Sequence, residues 1–248
     1  LSRCEEYMIR ISVMRPHDFE FAVRLTDLKQ WEYSRRDFAW MTSLEPQGCF
    51  VAVEDGRRLG ITTTVNYQTL GWIGNVIVSP RYEGKGVGSQ LVNRAVEYLR
   101  GKSVGSIGLY SYLDNTPFYA RLGFKEDGYF IRLSGKGKPA VLGECQPMKP
   151  KDLEDVTRLD FECIGADRSK VLTKIFERCR NLCWITTSRR ELAGYIMGTS
   201  SRTSVELGPW ICDPRYADGA FTLLSAFLSS MRNKKINLGI PERHVALR

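Results

Sequence analysis

The chain has 248 residues, 43% of them hydrophobic and 26% charged, the balance of a soluble globular protein with room for one large domain or two small ones. No apolar run approaches bilayer length, and the start, "LSRCEEYMIRISV", lacks the apolar core of a signal peptide, so a cytoplasmic location is expected. A net charge of +8 attracts anions, but the basic residues are scattered, which weakens a nucleic-acid reading. Only two histidines occur, and seven cysteines without a CxxC pair argue against a structural zinc site or disulfide framework; no metal is expected.

In chain order, "MIRISVM" (8–14) alternates like a strand, and Pro16 suits the first turn of a helix running to about residue 28. Ser34 and Asp37 have capping-box spacing and start a second helix. "CFVAVEDGRRLGITTTVNY" reads as a hairpin turning at Asp55-Gly56, and "WIGNVIVS" as a mostly apolar strand. After Gly84, Gly86 and Gly88 comes a helix with Val87, Leu91, Val92, Ala95, Val96 and Leu99 on one face. "SIGLYSY" is another strand, "TPFYARLG" a short helix and "FKEDGYFIRL" a final strand. The expected class is α+β: a mixed, mostly antiparallel sheet with helices packed on it.

The chain also repeats itself. Met14, Pro16, Asp18, Glu20, Arg24 and Leu25 match Met148, Pro150, Asp152, Glu154, Arg158 and Leu159, and the same offset carries Pro80, Arg81 and Tyr82 onto Pro214, Arg215 and Tyr216. Two tandem copies are expected, 1–136 and 137–248, joined within "SGKGKPAVLGE" at 134–144. The second copy is degenerate and truncated: Asp218, Ala220 and Thr222 stand where the glycines were, and the chain stops at the equivalent of residue 114.

A strand entering a glycine turn and then a helix builds an anion site. The first helical N–H groups lack partners, and glycines let them approach a phosphate closely. Residues 84–89 supply such donors, and Lys85 adds charge. The pattern "P-x-Y-x-G-K-G-V-G-x-x-L", followed by "F-Y-x-x-x-G-F" at 118–124, resembles the GNAT superfamily of acyl-CoA-dependent N-acyltransferases, in a tandem subgroup of the YitH type. The resemblance implies that Val76, Ile77 and Val78 bond the pantetheine and acyl carbonyl through their main chain. It implies that Gly84, Lys85, Gly86, Val87, Gly88 and Ser89 cradle the pyrophosphate of acetyl-CoA, and that Tyr119 is the general acid. Two positions depart from the family pattern: Glu83 replaces Arg or Gln, and Tyr112 replaces an asparagine, with Asn115 taken into the cofactor set nearby.

The expected function is transfer of an acetyl or acyl group to a primary amine of a small molecule or peptide. The alternative is a CoA-sensing protein without turnover. Asp114, Glu83 and Glu45 are candidate bases, each read as a solvated surface charge, and no base is assigned. Trp31 and Tyr33 are the candidate acceptor contacts. The second domain is expected to bind CoA poorly, and to cover the acceptor cleft or form a homodimer contact.

Overall fold

The computed structural model describes residues 8–137 and 145–242, arranged as two units, Leu1–Glu126 and Asp127–Arg248. The first unit contains β1 (Arg10–Val13), α1 (Phe19–Leu28), α2 (Arg35–Leu44), β2 (Phe50–Glu54), β3 (Arg57–Asn66), β4 (Leu70–Val78), α3 (Val87–Arg100), β5 (Ser106–Leu109) and α4 (Thr116–Arg121). Its five strands lie in the order β1-β2-β3-β4-β5, antiparallel except for the last pair. The Asp55-Gly56 turn joins β2 to β3, with both residues at positive φ. Ser34 caps α2, its N–H and hydroxyl both donating to Asp37 Oδ2, at 2.7 and 2.6 Å.

Helices cover both faces of this sheet. On one, Phe19, Ala22 and Leu25 of α1 and Phe38 of α2 pack against Val51, Ile61 and Ile77. On the other, Leu91, Val92, Ala95 and Leu99 of α3 are fully buried against Phe50, Leu59 and Ile73, on the face that the apolar spacing marks out. At roughly 25 cal/mol per Å² of apolar surface, such leucines stabilise by about 2 kcal/mol each.

The strand alternation of β4 breaks once. Thr63 pairs with Gly74 and Ile61 with Ile77, so Thr62 opposes both Asn75 and Val76, and Asn75 takes φ 52°. Ile73 and Val76, three apart, therefore face the α3 side, whereas Ile77 joins the core beneath α1. The ladder with β5 stops at Ile73↔Leu109, although β4 runs on to Val78. From residue 74 onward, one edge of β4 has no strand partner among the described residues.

The second unit contains β6 (Phe130–Lys136), β7 (Cys145–Pro147), α5 (Leu153–Ile164), α6 (Ser169–Cys179), β8 (Trp184–Ser188), β9 (Glu191–Ser200), β10 (Ser204–Cys212), α7 (Ala217–Ser230) and β11 (Lys235–Pro241). Its strand order is β6-β11-β10-β9-β8-β7. The core of Leu182, Ile196, Leu223 and Phe227 lies beneath α7. Asp160, buried under α5, accepts from both Arg168 and Tyr195, and the guanidinium offsets the cost of the buried carboxylate.

Two expectations change here. The strand after α4 begins at Phe130, and it pairs with β11 from Lys235↔Lys136 to Pro241↔Phe130 instead of closing the first sheet. Residues 134–136, read as the start of a linker, belong to that strand, and the rest of the stretch, 138–144, lies outside the described residues. Local pattern marks a strand but carries no address for its partner, and here seven antiparallel pairs outweigh sequence proximity.

Native-state hydrogen exchange tests this pairing. Amides of 130–136 should open together with those of β11 as one cooperative unit. Opening of 130–136 with β5 while β11 stays protected would contradict the pairing.

Candidate active site

The site is built where β4 leaves β5. Ser79 N–H donates to Leu59 O (2.7 Å), and a 3-10 turn over Pro80–Tyr82 carries the chain round to α3. Gly84 and Gly86 sit at φ 74° and 79°, the left-handed region that side chains resist, and a Cβ at either would meet nothing within 4 Å. Glycine is thus required there by backbone conformation and not by crowding. Gly86 is the N-cap of α3 and offers no side chain to cap it.

The consequence is a row of unclaimed donors. Gln90 N–H bonds to Gly86 O (3.1 Å), but no N–H from Gly84 through Ser89 has an acceptor among the described residues. These amides crown the positive end of a 14-residue helix. Val87 is 1% exposed, its side chain packed in the core with Phe50, Leu59 and Leu91. Lys85 is exposed, its Nζ 5.4 Å from the Tyr82 ring centre. Glu83 is exposed and forms no ion pair among the described residues.

Gly88 serves a different purpose. Its Cβ would lie 3.3 Å from Phe118 Cζ and 3.6 Å from Val78 Cγ2, so the start of α3, the end of β4 and α4 meet at this point. Tyr119, next to Phe118, packs on the same apolar cluster as Val76, with its ring edge-on to Phe118 (4.9 Å) and Phe124 (6.0 Å). Its hydroxyl has no hydrogen-bond partner among the described residues, and burial pushes its pKa above the ordinary 10.0. The structure thus brings together Val76–Val78, Gly84–Ser89 and Tyr119. Asn115 stands apart: it is exposed on the 3-10 turn before α4, and its main-chain N–H donates to Tyr112 O (2.9 Å).

On the α1/α2 face of the same opening, Trp31 Nε1 donates to Tyr112 Oη across 3.0 Å, fixing the α1–α2 loop against the segment after β5. Trp31 stacks at a tilt on Tyr33 (6.2 Å), and Trp72 lies edge-on to Tyr110 (4.6 Å). Gln30 and Glu32, flanking Trp31, both have positive φ (58° and 57°), a strained backbone that holds the indole in place. Asn75 of β4 is a polar residue that the sequence reading missed. Its amide donates to Thr63 Oγ1 (2.9 Å) and Met41 Sδ (3.2 Å), and its Oδ1 accepts no hydrogen bond among the described residues.

The acids behave differently from expectation. Glu45 is 5% exposed and accepts from Tyr98 Oη at 2.6 Å, so it is an internal strut and not a solvated surface charge. Burial, then the Glu45 carboxylate, drives the Tyr98 hydroxyl well above its usual range. Asp114 and Glu83 are exposed, as expected. Burial pushes the Cys49 and Cys183 thiols up to about 12, which leaves them as inert core groups. Cys163, by contrast, is exposed. Among the described residues, no group of three or more His, Cys, Asp or Glu could hold a metal ion, and no helix is long and apolar enough to cross a membrane.

The second unit repeats the strand opening without the loop. Its bulge falls between Leu207 and Trp210, and the β10–β11 ladder ends at Leu207↔Leu238. However, α7 starts at Ala217, the equivalent of Glu83 at the 134-residue offset (217 − 134 = 83). Residues matching the glycine loop are already helical, and Asp218 places a carboxylate in the first turn. Trp210 stands where Val76 stands and packs into the second core.

A mixed sheet that parts beside a glycine-capped helix defines a class, the acetyltransferase fold. The description "Acetyltransferase (GNAT) family" matches residues 14–124, and "Acetyltransferase (GNAT) domain" matches 156–248. The chain belongs to the GNAT family, with two GNAT domains in tandem. It is similar to the uncharacterised N-acetyltransferase YitH of Bacillus subtilis, 23% identical over 71% of this chain and 62% of the relative. It is also similar to the uncharacterised N-acetyltransferase MJ1207 of Methanocaldococcus jannaschii, 27% identical over 40% of this chain and 48% of the relative. The matches therefore span about half to three-fifths of those relatives' lengths. A crystal structure assigned as an acetyltransferase from Pyrococcus horikoshii superposes with TM-score 0.76 at 21% identity, covering 98% of this chain and 83% of the other, a likeness of fold.

The reading of Glu45 has a direct test. Glu45→Gln should lower stability by about 1–3 kcal/mol in denaturant titrations, since a charged hydrogen bond to Tyr98 is lost. Heat of CoA binding should not change. A wild-type melt with turnover reduced a hundredfold would make Glu45 a base after all.

Proposed function

We propose that the first domain is an N-acyltransferase that moves an acetyl or other short acyl group from acyl-CoA to a primary amine. The observation that carries this is the run of N–H groups at 84–89 without acceptors, opening beside the unpartnered edge of β4. The residues fit the ligand: the two left-handed glycines leave space where any other residue would put a Cβ, and the amides converge at a helix N-terminus. Acyl-CoA, once bound, supplies an activated thioester carbonyl. Every other element of the chemistry comes from the chain.

Main-chain N–H groups along Val76–Val78 are fixed dipoles suited to a carbonyl oxygen that gains charge. The Tyr119 hydroxyl holds a proton for the leaving sulfur, and its raised pKa keeps that proton in place through neutral and mildly alkaline pH. The acceptor enters from the α1/α2 face, between Trp31–Tyr33 and Tyr110–Tyr112, where the rings receive a cationic amine. Asn75 Oδ1 accepts from the incoming amine and orients it, while Thr63 and Met41 hold the amide. No acid lies on β4, so the amine's proton leaves through solvent.

A second reading, acyl-CoA binding without turnover, draws on the same lack of an acid and on the exposed Glu83 where the family pattern has Arg or Gln. Thiol release separates the two: measured with acetyl-CoA across amines and short peptides, it should be saturable in at least one acceptor. Binding without release throughout favours the sensor.

Three outcomes follow. Gly86→Asp should weaken CoA by about 10- to 100-fold in calorimetry, because it strains the cap and sets a carboxylate among the donors. Unchanged heat would remove the phosphate site. Tyr119→Phe should lower kcat by about 10²–10⁴ with KM nearly constant, and equal turnover by both forms excludes the acid. For the pH profile the sign is fixed: the active form is protonated and its pKa is raised, so kcat should show no loss attributable to Tyr119 below pH 10.

A further inference from the structure

A second concave surface in the first unit shares no residue with the site above. It is a cavity of about 520 Å³ at the outer edge of the sheet, lined by Arg10, Ser12, Arg15, His17, Asp18 and Arg58 among others. β1 is the edge strand, with Ile11 and Val13 packed beneath α3, so Arg10 and Ser12 project from the opposite face toward the start of α1. The hairpin between β2 and β3 brings Arg58 to the same place.

The charges of this cavity do not cancel. Asp18, the one acid in the lining, is 3% exposed and fully used. Its Oδ1 accepts from Arg58 Nε at 2.6 Å, with His17 Nε2 3.5 Å away, and its Oδ2 accepts from Arg15 N–H at 2.8 Å. That pairing offsets the charge of Arg58 and anchors its guanidinium, whose Nη2 also donates to His17 O at 3.4 Å, so Nη1 is the part of the fork with no acceptor among the described residues. Arg10 and Arg15 form no ion pair among the described residues. Two exposed cations without an ion pair among the described residues and a fixed third thus line one hollow, a concentration of positive charge that favours an anion.

The internal repeat supplies a control on whether the fold needs this arrangement. In the second unit the same turn closes in the same way, Lys149 N–H donating to Asp152 Oδ2 at 2.7 Å. There the position of Arg58 is Leu192 (58 + 134 = 192). The turn forms without a guanidinium, so the cluster in the first unit is an addition to the frame and not a condition of it.

We propose that this cavity binds a phosphate group, with Arg10 and Arg15 as the main contacts and Arg58 held ready by Asp18. Planar guanidinium forks match the oxygens of phosphate, and the surplus of two charges matches a dianion. The ligand is either free phosphate or a phosphate monoester. The site acts independently of the glycine loop.

Arginine Nε–Hε resonances of the full chain, followed by NMR at low ionic strength, test it at the residues themselves, so binding at residues 84–89 does not interfere. Titration with inorganic phosphate and with glycerol phosphate should move the Arg10, Arg15 and Arg58 signals together, with saturation in the millimolar range. Tighter saturation by the ester assigns the site to an esterified phosphate, and equal or weaker saturation assigns it to the free anion. The double variant Arg10→Gln/Arg15→Gln removes two exposed side chains and should keep the thermal midpoint, while the Arg58 response weakens at least tenfold. Signals that fail to saturate together, that move as far with chloride of equal ionic strength, or that respond alike in the double variant overturn the proposal.

Discussion

One extra residue in one strand organises the first unit of this protein. Because Thr62 opposes both Asn75 and Val76, β4 bends at that point. Pairing with β5 ends at Ile73, two residues before Asn75. The bend separates two strands that would otherwise continue side by side, and it turns Val76 to the α3 side while Asn75 meets Thr63 and Met41 on the other. A regular β4 would have its amides bonded to β5 and nothing to offer a ligand. Both the free strand edge and the asymmetry of the cleft, apolar toward Tyr119 and aromatic-polar toward Trp31, descend from this one irregularity.

The bulge demands close contact elsewhere in the sheet. A Cβ on Gly60 would lie 2.7 Å from Ile77 O, and one on Gly194 would lie 2.8 Å from Ile211 O. Both copies therefore need a glycine on the third strand of the motif, across from the segment that follows the bulge. That requirement fits the presence of this glycine in both copies at the 134-residue offset: the shared frame needs it, whereas the left-handed turn at Gly84 and Gly86 and the contact of Gly88 with Phe118 belong to the first copy alone.

Much of the frame is legible in the sequence because it rests on local rules. The Asp55-Gly56 turn, the Ser34–Asp37 cap, the apolar face of α3 and the glycines before it each declare themselves within a few residues. What escaped depends on partners far along the chain. "WIGNVIVS" reads as an unbroken strand, since nothing local shows that Asn75 adopts φ 52° opposite β3. Glu45 looks like a surface acid until Tyr98, 53 positions away, is found donating to it. Trp31 and Tyr112 meet across 81 positions. The destination of β6 is decided by β11, a hundred residues downstream. A signal for Asn75 was present in principle, for asparagine tolerates the left-handed region better than other side chains, and it followed a glycine.

Comparison of the two units shows how such a fold parts with a site while keeping its architecture. Both retain the bulge, the parted parallel pair and the helix that follows. The second unit changes two things. Its helix begins one turn earlier, so main-chain N–H groups that stand free in the first unit enter the helical register, and Asp218 adds negative charge where an anion would approach. An indole replaces an isopropyl group at the bulge, so Trp210 fills space that Val76 leaves open. Neither change disturbs the core, as Leu223 and Phe227 remain fully buried. Stability in this fold resides in the sheet and the inner face of one helix, and the proposed ligand site resides in the few residues that delay the start of that helix. The two are separable because a glycine at positive φ contributes almost nothing to packing and everything to the direction of the amides after it.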